Sequence, residues 1–247
     1  MGRFLLKISY DGTAYHGWQV QPNGITVQAV LCDALSKMCK TSVSVTGCSR
    51  TDAGVHANEF YCHFDSTLNI PEKAYVEGLN AILPRDIAVL DCIAVADDFH
   101  ARYCALGKNY IYKFYDGEVR NPFLRNYALH IPKKLVEHSM DEFCKKIIGK
   151  HDFVGFSSSK RTVTDTVRKI YDCNTRREGD YVILSVTADG FLYNMVRIIA
   201  GTALDVSFGK ISVNDTENIL KSADRSRAGA TLAPHGLYLN KVFYTEV

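Results

Sequence analysis

Ten consecutive residues hold most of the chemistry that can be read at a glance: Cys48-Ser49-Arg50-Thr51-Asp52-Ala53-Gly54-Val55-His56-Ala57. The stretch follows Gly47 and carries an acid, a guanidinium, two hydroxyls and an imidazole. Three readings compete. The plainest is a turn in which Asp52 bonds its own backbone and Gly54 supplies a positive φ. A Ser49/Asp52/His56 hydrolase triad is the weakest fit, since no Gly-x-Ser-x-Gly elbow is present and triads are defined by geometry rather than by closeness in sequence. The third is a lone catalytic carboxylate held by an arginine. Such an ion pair would keep Asp52 ionised inside a closed cleft, as a nucleophile or base requires.

Three further segments mix cations with aromatics. Asp98-Phe99-His100-Ala101-Arg102 is followed by Gly107-Lys108-Asn109-Tyr110-Ile111-Tyr112-Lys113-Phe114-Tyr115. At strand period, Lys108, Tyr110 and Tyr112 share one face. They form either an ordinary amphipathic strand or a tyrosine that stacks on a nucleic-acid base beside phosphate-binding cations. In Gly190–Gly201, Arg197 sits among apolar neighbours and needs an acidic partner. Asp52 would serve, and so would Asp205. Arg225–Leu239 joins two arginines to a Gly-Leu-Tyr-Leu strand, which reads equally as a surface loop leading into a core strand.

Stepping from these residues to the elements that must hold them, two similar halves emerge. Phe4–Tyr10 reads as a strand, and Val27, Val30, Leu31, Ala34, Leu35 and Met38 recur at helical spacing after a Thr26 cap. Val43–Gly47 and Glu59–Phe64 read as short strands, a helix starts at Pro71, and Ile87–Val95 is β-branched and strand-like. The second half repeats the order: strand Tyr110–Tyr115, a helix after Pro132 that stops near Gly149, strands Val163–Tyr171 and Tyr181–Ala188, a helix over Tyr193–Ala203, a short helix over Asn214–Ala223, and a last strand Leu237–Tyr244. Each half is β-α-β-β-α-β, an α+β pattern of mostly antiparallel sheet. We place the boundary between residues 1–104 and 105–247, with no linker, and expect a continuous sheet with a cleft between the halves.

Composition narrows the class. The 247 residues carry 29 Lys+Arg and 27 Asp+Glu, a net charge of +2, which argues against a tail-driven polyanion binder. The balance is uneven along the chain. Residues 1–104 hold 8 basic and 11 acidic side chains, while residues 133–177 hold 11 and 6. Each of the basic doublets Lys133-Lys134, Lys145-Lys146, Lys160-Arg161, Arg168-Lys169 and Arg176-Arg177 reads singly as a solvated helix or loop face, while their clustering in one stretch raises the odds of a polyanion surface. The longest uncharged run, Gly12–Cys32, is rich in amides and glycines and is a poor membrane span. The eight cysteines form no C-x-x-C pair, and the N-terminus has no signal-peptide core. We therefore expect a cytoplasmic protein with reduced thiols and no zinc site or membrane partner.

In this order and spacing the segments resemble the tRNA pseudouridine synthase A family. The resemblance runs from Lys7-Ile8-Ser9-Tyr10-Asp11-Gly12-Thr13 and Gly17-Trp18-Gln19 to Gly236-Leu237-Tyr238-Leu239, nearly the whole chain. Arg50–Ala57 is its most specific part, strengthened by Asp98–Arg102, Lys108-x-Tyr110 and Met195-Val196-Arg197. The resemblance implies the pseudouridine synthase fold, with two halves around an extended mixed sheet and a central active-site cleft. It implies that Asp52 is the catalytic aspartate, Tyr110 the base-stacking tyrosine and Arg197 the basic partner of Asp52. It makes Leu237 the apolar residue beneath the target base and Arg50 an arginine that helps flip that base out. His56, Arg102 and Lys108 are expected to bind substrate with them. The family isomerises uridines 38–40 of the tRNA anticodon arm as a homodimer, without metal or organic cofactor. Two departures touch the rim of the expected site: Ser49 replaces a usual glycine, and Leu232-Ala233-Pro234-His235 shifts the usual Ala-Pro by one residue. The alternative reading is a non-catalytic tRNA-binding or RNA-folding protein of the same fold.

Overall fold

Helical spacing of Val27, Leu31, Ala34 and Leu35 produces the first helix, whose Thr26 cap accepts the Ala29 N–H at 3.3 Å. In this computed structural model residues 2–158 and 163–245 are described. The chain divides into two compact units, residues 1–106 with 238–246, and residues 107–237.

The first unit runs β1 (Gly2–Tyr10), α1 (Val27–Cys39), β2 (Thr46–Gly47), β3 (His56–Ser66), α2 (Glu72–Ile82) and β4 (Ile87–Val95). β1 is central, antiparallel to β3 on one side and to β4 on the other. That position explains why Phe4, Leu5 and Leu6 are all buried instead of alternating. Trp18, 1% exposed, stacks on Phe60 of β3 with centroids 4.0 Å apart. The expected strand over Val43–Gly47 shrinks to Thr46–Gly47 because side chains take its earlier backbone groups. Ser36 Oγ accepts the Val43 N–H, and Gln28 Nε2 donates to the Val45 carbonyl.

The second unit runs β5 (Gly107–Tyr115), β6 (Leu129–His130), α3 (Glu137–Lys146), β7 (Gly149–Asp152), β8 (Val167–Glu178), β9 (Tyr181–Ala188), α4 (Met195–Ser207) and α5 (Thr216–Ser222). Its sheet order is β5-β9-β8-β7, antiparallel throughout, with β6 parallel to β5. β10 (Leu237–Phe243) follows, and its Tyr238 and Leu239 pair in parallel with His56 and Ala57 of β3. The β-α-β-β-α-β order is thus present from β1 to β4 and again from β5 to β10, with β6, β7 and α5 added. The fold is α+β with a mixed, mostly antiparallel strand arrangement. The expected strand Val163–Tyr171 instead spans Val167–Glu178, since Asp165 Oδ1 accepts the Val167 N–H and caps its start. Among the described residues no helix is long and apolar enough to cross a membrane.

Candidate active site

The Asp52 turn joins β2 to β3 and is shaped by its neighbours. Thr51 accepts the Trp18 N–H on its carbonyl at 3.1 Å, and its hydroxyl meets the Tyr10 hydroxyl at 2.8 Å. Gly54 donates its N–H to the Tyr15 carbonyl at 3.2 Å, and the Val55 N–H closes the turn on the Asp52 carbonyl. Gly54 has φ +77°, the left-handed conformation expected of it. Gly17, at φ +84°, lies flat against this turn: a Cβ there would fall 2.4 Å from the Thr51 carbonyl oxygen. Only a glycine permits so close an approach of the two backbones. Asp52 itself is half-buried, and Arg50 is exposed.

His56 belongs to the scaffold of this turn. It is 2% exposed, and its ring stacks on Tyr238 at 4.6 Å. Its Nδ1 accepts the Gly12 N–H at 3.0 Å. Asp11 Oδ1 approaches the same nitrogen at 3.1 Å.

Arg102 lies in a different loop of the same unit. The turn before β5 is pinned by Ala101, whose N–H donates to His63 Nδ1 at 3.1 Å and whose carbonyl accepts the Tyr244 hydroxyl at 2.7 Å. Burial, helped by Arg3 and His100, pushes the His63 pKa down, which suits a ring that accepts. Arg102 stands exposed at the tip, 5.9 Å from the Tyr103 ring centre.

In the second unit, Lys108, Tyr110 and Tyr112 do share one face of β5, opposite Ala188, Val186 and Leu184 of β9. Their roles diverge. Tyr112 is fully buried, donates its hydroxyl to the Ala233 carbonyl at 2.8 Å, and has its pKa pushed up by burial. Tyr110 is 6% exposed and meets the Phe191 ring edge-on at 5.0 Å. Lys108 is half-buried, and Leu237 is buried where β10 begins. On the other face Asn109 donates to the Ser185 and Thr187 hydroxyls, both at 2.9 Å.

Arg197 is held in a fixed orientation. Nε donates to the Leu232 carbonyl at 2.6 Å, and Nη1 donates to Asn194 Oδ1 at 2.8 Å. Asn194 begins α4 at φ +62°, and its amide also donates to Ser158 Oγ. The segment carrying Leu232 can approach because α4 presents Gly201, where a Cβ would clash with the Ala230 carbonyl oxygen. Arg225 braces the same segment through the Ala228 carbonyl and Thr231 Oγ1. Sequence reading missed Asn194 and Leu232. An Asn just before an apolar helix was a usable signal, whereas a backbone carbonyl leaves none.

The basic doublets are partly spent on the fold. Lys134 pairs with Asp116 and Asp180, Lys145 with Asp141, Arg176 with Glu178, and Arg177 with Asp116 and Glu137. Lys133 lies over Phe208 and Lys169 over Tyr171, each at 5.0 Å. Lys160 and Arg161 lie outside the described residues. Among the described residues no three His, Cys, Asp or Glu side chains group as metal ligands would.

Comparison with known proteins shows what the chain is similar to. The profile of a family described as tRNA pseudouridine synthase matches residues 7–104 and 143–245. A protein named tRNA pseudouridine synthase A 2 from Clostridium perfringens is 45% identical over 244 residues, covering 99% of this chain and 100% of that one. A tRNA pseudouridine synthase A from Caldicellulosiruptor saccharolyticus shows the same identity and coverage. One from Geobacter sp. is 44% identical over 247 residues, with both chains fully covered.

Proposed function

This chain belongs to the tRNA pseudouridine synthase family and isomerises uridine to pseudouridine in tRNA; from that premise we propose that it acts on uridines 38–40 of the anticodon stem-loop, with Asp52 as its catalytic carboxylate. The observation that carries the assignment of Asp52 is its turn, whose shape is set by Thr51, Gly54, Val55 and Gly17. No observation favours a non-catalytic RNA binder.

The reaction is an isomerisation and balances without a co-reactant. The N1–C1′ bond breaks, the uracil rotates, and C5 bonds to C1′. C5 gives up its proton and N1 ends with one. An ionised Asp52 acts at the sugar in either available route, by attack on C1′ or by removing a ribose proton toward a glycal. Arg197 is the cation assigned to keep that carboxylate ionised, and its fixed guanidinium supports the role. Tyr110 is assigned to stack on the detached uracil, and Leu237 to lie beneath it. Extruding the target base costs a few kcal/mol, and Arg50, which is exposed, is assigned to offset part of that. His56 supports the turn, while Lys108 and Arg102 are assigned to the RNA backbone.

We assign the working form as a cytoplasmic homodimer, in keeping with a tRNA substrate. Sedimentation at micromolar concentration tests the dimer, and a monomer there would refute it. Pseudouridine mapping of tRNA from cells with and without this gene tests the function. Loss of modification at 38–40 alone is expected, and an unchanged map would overturn the proposal.

A further inference from the structure

The uncharged run Gly12–Cys32 has a structural counterpart that the catalytic assignments leave unused. Residues 19–25 form a surface loop whose base is locked to the Asp52 turn. Trp18 donates to Thr51, Gly17 lies against Thr51 and Asp52, and Tyr15 accepts from Gly54. The neck is closed by the His16 N–H to the Ile25 carbonyl at 2.8 Å and by Val27 and Gln28 N–H groups to Gly17 and Trp18. Gln28 then ties the tip down, accepting from Gln19 Nε2 at 2.8 Å and from the Val20 N–H at 2.9 Å.

What this loop exposes is specific in kind. Val20 is 53% and Ile25 65% exposed, with Gln19, Gln21 and Asn23 exposed beside them. Gln19 and Gln21 each donate one Nε2 hydrogen bond, to Gln28 and to the His16 carbonyl. Those bonds orient the amides, and within the described residues they leave the Oε1 acceptors and the Asn23 amide to other partners. The salt-dependent part of phosphate binding comes from cations, of which residues 19–25 have none. Amides and aliphatic faces suit the edges and faces of unstacked bases.

We propose that residues 19–25 are a base-reading platform for the unpaired nucleotides next to the target uridine. Gln19, Gln21 and Asn23 accept from or donate to base edges, and Val20 and Ile25 pack on base faces. This rests on the function proposed above. Because the platform and Asp52 share one locked backbone unit, reading a neighbouring base sets the distance from sugar to carboxylate. These are positioning residues, not catalytic ones. Holding the loop in shape before binding reduces the ordering cost on contact.

The test uses the full-length protein and a tRNA transcript, comparing wild type with Val20→Ser/Ile25→Ser, Asn23→Ala and Arg102→Gln. All four positions are exposed, so thermal unfolding should be unchanged. The double variant is expected to lose about ten-fold in kcat/KM, and Asn23→Ala about three-fold. Both should keep the wild-type slope of binding against log salt, whereas Arg102→Gln, at a residue assigned to the RNA backbone, should flatten it by about 0.7. Loop variants with wild-type kcat/KM would overturn the proposal while leaving the function intact. A flattened salt slope in them would also overturn it, since the contact would then be to phosphate. A wild-type protein that leaves tRNA uridines unchanged would overturn the proposed function, and this inference with it.

Discussion

Asp116 and Asp52 are both aspartates in polar surroundings, one at the end of β5 and one in the turn before β3, and they are built in opposite ways. The Asp116 side chain is sealed from solvent and surrounded by donors: the Leu135 N–H at 3.0 Å, Lys134 Nζ at 3.1 Å and Arg177 Nη1 at 2.9 Å. Burial alone would raise its pKa, but these three donors outweigh it and hold the carboxyl below the usual range. Its charge is consumed in joining β5, the start of α3 and the end of β8. The Asp52 turn, by contrast, takes its shape from the backbone of Thr51, Gly54 and Val55 and from the glycine that packs on it. A carboxylate that organises its surroundings serves stability. One on a turn organised by others can be assigned to chemistry.

Exchanging each for alanine should separate them. Asp52→Ala is expected to lower the rate by at least about 10⁴-fold while the unfolding midpoint stays near wild type. Asp116→Ala should leave the Leu135 N–H and the Arg177 fork without their shared acceptor and cost about 2 kcal/mol in urea unfolding, with kcat of the folded protein retained. The sign of its pH dependence follows from the depressed pKa. The contribution is present above the unfolded value of about 3.9 and disappears as pH falls through the lower folded value. Wild type should therefore lose stability below about pH 4 more steeply than Asp116→Asn. Arg197→Lys keeps the charge but gives up the fork that bonds Leu232 and Asn194, so single-turnover rates should fall about 10- to 100-fold. The smallest effect expected is from Thr26→Ala, about 1 kcal/mol of stability from the lost cap of α1, with activity unchanged.

Where local pattern decides structure, the sequence was readable. The Thr26 cap with its apolar spacing locates α1, and Ile87–Val95 is β4 to the residue. β7 was not legible, because Lys150, His151 and Asp152 give a short edge strand no apolar signal. The end of β8 was hidden by Arg176-Arg177-Glu178, whose charges point to partners instead of a core. The same limit applies to the basic doublets. Counting cations suggested a polyanion surface, but Arg177 and Lys134 meet Asp116, an acid distant in sequence from Arg177, so only the fold reveals which charges are spent. At the site, the Arg50–His56 motif was visible as chemistry. What orients Arg197, an Asn in a left-handed conformation and a main-chain carbonyl, depends on tertiary approach.

The central claim is that Asp52 is given to chemistry and not to the fold. Tritium release from C5-labelled uridine in tRNA measures the isomerisation directly, alongside tRNA affinity for the same preparations. Wild type should release label from the anticodon arm, and Asp52→Ala should release none while binding tRNA with near wild-type affinity. Label release by Asp52→Ala at a rate comparable to wild type would contradict the account.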